Sequence, residues 1–330
     1  MKGLILAGGF ATRLGTVGEV LPKAMLMVEG DTAVGHLVSK LERLGIEPLI
    51  TTNARFREFF RSYPNVLVEG ATREEEKLGA VTAIANAIKM AGVEEDLLVV
   101  CADNYFSSDL RGFVSSYQGD PLVGIHYAGG DPGVRLQEMA TVKFCGSDQY
   151  PPPSREFCIE EFKEKVDPPL SPYVSTCLYL FPPRIFPLLL EYTAEKKKDA
   201  PGFFIQHLLE RGIKVRGYLL EGEWYDLSYR NYLLMFRDSR LVRRDEDVIQ
   251  FQRESGGKVM LLTFLRRGGM YHLSRGEGLL FFIEGEVEMK RGMRRMRVRG
   301  REVVEVAPGE EVSLLNTSCP YAVFFSLKTG

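Results

Sequence analysis

From residue 1 to about residue 110, the chain alternates short apolar runs with stretches whose apolar residues recur at helical spacing. Leu4–Ala7 has no polar position and reads as a strand buried on both faces. In Ala33–Leu44, the residues Val34, Leu37, Val38, Leu41 and Leu44 share one helical face. Glu47–Thr51 and Asn65–Glu69 read as strands, Val81–Ala91 as a helix and Leu97–Ala102 as a further strand. This βαβα rhythm predicts an α/β fold, a Rossmann-like and mostly parallel sheet with helices on both faces. Such sheets bind ligands at the carboxyl ends of their strands, where the pattern places Gly8–Gly9 and Asp103.

The middle is less regular. Val123–Tyr127, Ala140–Phe144, Ile159–Lys165, Ser175–Phe181 and Lys214–Leu220 read as strands, and Arg184–Tyr192 and Phe203–Arg211 as helices. Tyr150–Ser154 (YPPPS) reads as a loop, and a helix is expected from Tyr229 to about Arg243. Beyond about residue 246 the helical period disappears. Val259–Phe264, Leu279–Ile283, Val287–Lys290, Val303–Val306, Val312–Leu315 and Ala322–Leu327 are strand-like pieces separated by Gly or Pro turns. Two domains follow as the expectation, residues 1–245 and an all-β module over 246–330.

Composition mostly excludes. With 42 basic and 44 acidic residues the net charge is −2, which points to neither nucleic acid nor an anionic membrane. Cys101, Cys145, Cys158, Cys177 and Cys319 are scattered, odd in number and without CxxC spacing. That pattern favours reduced thiols in the cytoplasm over a disulfide frame or a zinc site. The four histidines are isolated, no run reaches membrane-spanning length, and MKGLILAGG lacks a basic leader segment. The expected protein is soluble and cytoplasmic.

The chemistry concentrates in LILAGGFATRLGTVGEVLPKAML. Gly8–Gly9 leaves backbone amides uncovered, and Thr12, Arg13 and Lys23 follow on a loop, which together make a phosphate cradle. LILAGGFATRL followed by PKAML resembles the signature of the sugar-1-phosphate nucleotidyltransferases, of the glucose-1-phosphate thymidylyltransferase and mannose-1-phosphate guanylyltransferase type. Further blocks match in order over roughly residues 1–235: EKLGAVTAI (Glu76–Ile84), CADNYFSSDL (Cys101–Leu110), EFKEKV (Glu161–Val166), STCLYLF (Ser175–Phe181) and EWYDL (Glu223–Leu227).

The resemblance implies that a hexose 1-phosphate attacks the α-phosphorus of a nucleoside triphosphate and pyrophosphate leaves. Such a step needs no protein nucleophile, so positioning and charge neutralisation carry it. Arg13 would clamp the triphosphate and Lys23 would sit near the α-phosphate, with Asp103 the third catalytic residue. Asp103 and Asp226 would be the Mg²⁺ ligands. Nucleotide contacts are implied for Leu6, Ala7, Gly8, Gly9, Thr12, Arg13, Glu74 and Gly79, and sugar-phosphate contacts for Ala140, Glu164, Lys165 and Thr176. A carboxylate among Glu74, Glu75 and Glu76 could accept from N1–H and the 2-amino group of guanine, so GTP or dTTP is expected with a glucose- or mannose-type sugar. Departures cluster on the sugar side. Ala11, Ala102 and Cys177 stand where the family usually has glycine, Val166 replaces a proline, and Met139-Ala140-Thr141 replaces Tyr-Gly-Val. Ala11 is tolerable if its φ is negative. The rival reading is a non-catalytic nucleotide- or nucleotide-sugar-binding regulatory protein. A dehydrogenase is weaker, because GGFATRL lacks the GxGxxG spacing.

From about residue 256, GEGLLFFIEGEVEMKRG and VAPGEEVSLLN resemble a cupin-type β-barrel. Cupin metal sites need a His-x-His set and only His272 is present, so a metal-free structural or oligomerising barrel is expected. Lys290, Arg291, Arg294, Arg295, Arg297, Arg299 and Arg301 form a basic hairpin there, read as a solvated edge that resists aggregation.

Overall fold

Lys2–Leu6 lies at the middle of a sheet, paired in parallel with Glu47–Asn53 on one side and Leu97–Cys101 on the other. Leu4 and Ile5 are fully buried. A strand covered on both faces needs no polar alternation, and its sequence shows none. The computed structural model describes residues 1–130, 134–146, 154–195, 200–227, 238–255, 257–273 and 276–328. They form two compact units, Met1–Gly9 with Leu37–Asp226, and Phe10–His36 with Leu227–Gly330. No described helix is long and apolar enough to cross a membrane.

In the first unit the sheet runs Val66–Glu69, Glu47–Asn53, Lys2–Leu6, Leu97–Cys101, Tyr173–Phe181, Leu122–Tyr127, Arg216–Leu219, Glu156–Glu164, Ala140–Phe144. The first four strands are parallel. Tyr173–Phe181 then enters antiparallel to both of its main neighbours, and the remainder is mixed. Helices Ala80–Ala91, Phe186–Glu195 and Pro201–Glu210 turn apolar faces to the sheet, where Ile84, Ile88, Leu189, Phe204 and Leu208 join Leu97, Val99, Val123 and Phe181 in one core.

The second unit contains the signature loop and the β strands of the C-terminal region. Three-residue 3-10 turns, Thr12–Leu14 and Lys23–Met25, flank the short helix Thr16–Val20. Leu14, Val17, Leu21 and Leu26 are fully buried beneath them, and the helix packs against strand Arg240–Arg244. One antiparallel sheet runs Arg240–Arg244, Val248–Ser255, Lys258–Arg266, Tyr321–Lys328, Glu277–Glu284, Val303–Glu305; a second runs Met270–His272, Val312–Leu315, Glu286–Arg291, Arg294–Arg299. Phe251, Phe264, Phe282, Val287, Met289, Leu314 and Phe324 fill its interior.

Three expectations need correction. The helix expected to end near Arg243 does not, because Arg240–Arg244 is a strand paired with Val248–Ser255; residues 228–237 lie outside the described residues. Ladder pairing to an existing sheet outweighs the helical spacing of the apolar residues before it. The expectation that all cysteines are reduced fails at Cys145 and Cys158, which form a disulfide. The register of Ala140–Phe144 against Glu156–Glu164 makes them cross-strand neighbours, with Cys145 N–H donating to Cys158 O at 3.0 Å. Sequence spacing does not reveal that pairing. Most of the YPPPS loop falls outside the described residues. Lastly, Ala11 has φ +54° and ψ +31°, the left-handed region, where a negative φ was the condition for tolerating alanine. Gly18 explains the tight turn, since a Cβ there would collide with the Ala11 carbonyl oxygen.

Candidate active site at the strand ends

Parallel pairing lines up the carboxyl ends of the first strands, so residues just beyond them converge. Leu6 is level with Thr51 and with Cys101, and Asn53 is level with Glu69. Ala7 N–H donates to Thr51 O at 2.8 Å, and Ala102 N–H to Leu6 O at 2.9 Å. Asn53 Nδ2 donates to Gly8 O at 2.9 Å. The chain therefore leaves the sheet at Gly8–Gly9 with its path fixed on both sides. No atom lies within 4 Å of where a Gly9 Cβ would be, so the backbone there is open to a ligand. Beside Gly8, Glu69 Oε2 lies 3.7 Å from the corresponding position.

Asp103 and Asp226 are far apart in sequence and meet through a two-stranded ladder. Asn104–Phe106 pairs antiparallel with Trp224–Asp226, which sets Asp226 opposite Asn104 and next to Asp103. Asn104 is buried and acts as a clamp: Nδ2 donates to Asp103 Oδ1 at 3.1 Å and to Cys101 O at 3.3 Å, while Oδ1 accepts from Trp224 Nε1 at 2.7 Å. The buried Trp224 ring also packs on His126. The Cys101 thiol reports both carboxylates. Its hydrogen bond with Cys177 and its burial push its pKa up, and the negative charges of Asp103 and Asp226 push it further. Two hard oxygen donors at one place suit a magnesium ion that takes its other ligands from phosphate and water. Among the described residues no set of three or more His, Cys, Asp or Glu could hold a metal without substrate.

Of the three carboxylates expected to read the base, Glu74 and Glu76 are engaged within their own loop. Glu74 is paired with Lys77 at 2.6 Å. Glu76 accepts from Thr72 N–H at 2.8 Å and Thr72 Oγ1 at 2.9 Å, which lowers its pKa. Both bonds close the loop on itself. Gly79, at φ +94°, starts helix Ala80–Ala91.

Of the residues expected to contact the sugar phosphate, the structure brings three together. Ala140 pairs with Glu164, and Lys165 N–H donates to Met139 O at 3.0 Å. Lys165 has φ +53°, a left-handed position that turns the chain out of the strand. Glu164 is largely buried, and desolvation raises its pKa against the opposing pull of Lys165. Its carboxylate lies on Gly202, in the first turn of helix Pro201–Glu210, where any Cβ would collide with Oε2. Thr176 is fully buried and its hydroxyl donates to Gly124 O at 3.0 Å.

Thr12, Arg13 and Lys23 lie in the second unit, on the two 3-10 turns. Sequence reasoning missed Glu69, Asn53 and Asn104. The signal available for all three was position, since each stands at the carboxyl end of an apolar run or just beyond it.

Comparison with known proteins agrees with this geometry. The nucleotidyl transferase family model matches residues 2–234. A UTP–glucose-1-phosphate uridylyltransferase, AglF, of Haloferax volcanii is 27% identical over 193 residues, covering 56% of this chain and 74% of that protein. A mannose-1-phosphate guanyltransferase of Hypocrea jecorina is 26% identical over 239 residues, covering 69% of this chain and 61% of that protein. Among solved structures, a UDP-glucose pyrophosphorylase complexed with UDP-glucose superposes with a TM-score of 0.55 at 18% identity, over 71% of this chain and 95% of that one; at that identity it speaks for the fold alone. With the family model spanning the glycine turn and both aspartates, the chain belongs to the nucleotidyl transferase family.

Proposed function

We propose that the protein transfers a nucleotidyl group from a nucleoside triphosphate to a hexose 1-phosphate and releases pyrophosphate. The observation that carries this reading is the convergence of Gly8–Gly9, Asp103 and Asp226 at one row of strand ends. The turn at Gly8–Gly9, open at Gly9, offers backbone amides to phosphate oxygens. Asp103 and Asp226, held by the Asn104 clamp, are the residues that would hold Mg²⁺. When bound, that ion offsets charge on the phosphates and orients them for in-line attack. Arg13 grips the departing pyrophosphate as a planar fork, and Lys23 lowers the repulsion between two approaching anions. Ala140, Glu164 and Lys165 line the sugar phosphate's side, with Glu164 accepting from sugar hydroxyls.

For the base, Glu69 is the carboxylate placed beside Gly8, whereas Glu74 and Glu76 are taken up by loop closure. A carboxylate facing both N1–H and the 2-amino group favours guanine. GTP is therefore the first choice and dTTP the second, with a glucose- or mannose-type 1-phosphate. Pyrophosphate release from the four common NTPs and dTTP, each with a panel of hexose 1-phosphates, tests this. Turnover with GTP or dTTP supports it. CTP or ATP as the best donor contradicts the base argument, and no turnover with any pair contradicts the reaction.

A further inference from the structure

Cys101 ends strand Leu97–Cys101, and Cys177 lies in its antiparallel neighbour Tyr173–Phe181. The register pairs Tyr179 with Val99 and Leu178 with Val100, and Cys177 and Cys101 are the next residues of the two strands beyond that last pair. Neither thiol belongs to a disulfide, and the paired strands make the two residues cross-strand neighbours. Cys177 has φ +54° and sits where the strand's register against Leu122–Tyr127 is broken, between Ser175 and Tyr179. Such irregularities re-aim a side chain, and a left-handed position costs an L-residue about 1–2 kcal/mol. Cysteine gains nothing conformationally there, next to the other free thiol on the paired strand. The nucleotidyl-transfer reading uses neither residue.

We propose that Cys101 and Cys177 form a two-thiol modification site that hydrogen peroxide closes into a disulfide, disabling the strand end that carries Asp103. One thiol attacks a peroxide oxygen; the O–O bond breaks, one water leaves and the sulfur becomes a sulfenic acid. The second thiol displaces the sulfenic oxygen as another water, and the S–S bond forms. Two thiols give up two electrons and two protons, and one peroxide becomes two waters.

A disulfide holds its sulfurs at about 2.05 Å, closer than any contact between two free thiols. Closing that gap shifts Cys101, and the shift passes directly to Ala102 and Asp103. Ala102 is also tied to Leu6 O at 2.9 Å, so the start of the glycine turn shares the displacement. A misplacement of about 1 Å at a reacting centre can lower rates about 100-fold. Burial makes closure slow, a response to sustained rather than brief oxidation.

The test treats the full chain with hydrogen peroxide, then with dithiothreitol, and follows peptide maps and pyrophosphate release. Expected are a linked Cys101–Cys177 peptide lacking two hydrogens, turnover reduced about 100-fold, and recovery on reduction. Cys177→Ser should keep its turnover in peroxide. Carried through the same cycle, it also reports any effect of reducing Cys145–Cys158. Separate sulfinic acids without a linked peptide, or a linked peptide with unchanged turnover, would overturn the proposal. The turnover arm rests on the nucleotidyl-transfer reading and the peptide map does not. A linked peptide in protein that never turned over would count against that reading and for the modification site.

Discussion

In the first unit, the two acidic residues of the candidate site are set by hydrogen-bonded strands: Asp103 follows a central strand, and Asp226 is aligned to it through Asn104. In the second unit, Arg13 and Lys23 ride on three-residue turns around a five-residue helix, with little backbone pairing of their own. The acidic residues inherit their geometry from the sheet, while the cationic turns depend on packing beneath them. Leu14, Val17 and Leu21 supply that packing from within the loop, and strand Arg240–Arg244 supplies it from the C-terminal region. On the proposed reading, one half of the chemistry is set by the sheet and the other half depends on the β strands that follow the family match.

Deleting residues 240–330 should break this comparison most severely. The turns lose the strand against which helix Thr16–Val20 packs, and pyrophosphate release should fall by more than about 100-fold. Hydrogen exchange should accelerate across residues 10–36 while Lys2–Leu6 stays protected. Retained activity with unchanged exchange in the loop would show that the turns hold themselves.

A smaller effect sharpens the sheet-built side. Gly202→Ala puts a methyl group where Glu164 Oε2 now lies, so that carboxylate must swing away. The KM for hexose 1-phosphate should rise about 10-fold, matching one lost charged hydrogen bond, with the KM for nucleotide unchanged. Equal changes in both constants would place Glu164 outside the sugar site.

Glu164 also gives a pH dependence. Its pKa is raised by burial, so the folded chain keeps the proton to higher pH than the unfolded chain does. Stability therefore declines as pH rises from the ordinary glutamate value to the raised one, and the cost is complete above it. Denaturant midpoints across that window should show the decline, and Glu164→Gln should flatten it. A wild-type midpoint that rises across the same window would contradict the sign.

The smallest effect belongs to the loop. Ala11→Gly relieves a left-handed alanine worth about 1–2 kcal/mol but frees the unfolded chain by about 0.5–1 kcal/mol. A net gain of about 0.5–1 kcal/mol follows, read as a higher urea midpoint.

Much of this was legible in the sequence, for physical reasons that differ by residue. Leu4–Leu6 and Leu97–Cys101 announce themselves because a doubly covered strand must be apolar throughout. Gly8–Gly9 and Asp103 follow from where such strands end. Arg240–Arg244 was not legible, because its pairing with Val248–Ser255 is a tertiary choice that local spacing does not encode. The Cys145–Cys158 bond depends on cross-strand register, and the φ of Ala11 depends on how closely Gly18 approaches. Glu69, placed beside Gly8, has no sequence signal beyond its position at a strand end, whereas the denser acidic run uses Glu74 on Lys77 and Glu76 on Thr72.

The most direct test of the sheet-built site is Asp226→Asn, assayed for magnesium-dependent pyrophosphate release beside nucleotide affinity. The ladder places this carboxylate next to Asp103, so losing its charge should lower turnover by about 10²- to 10³-fold, the usual loss for a group that stabilises transition-state charge. Nucleotide affinity should stay within a few-fold, because the glycine turn is untouched. Wild-type turnover in Asp226→Asn, at any magnesium concentration, would contradict the account.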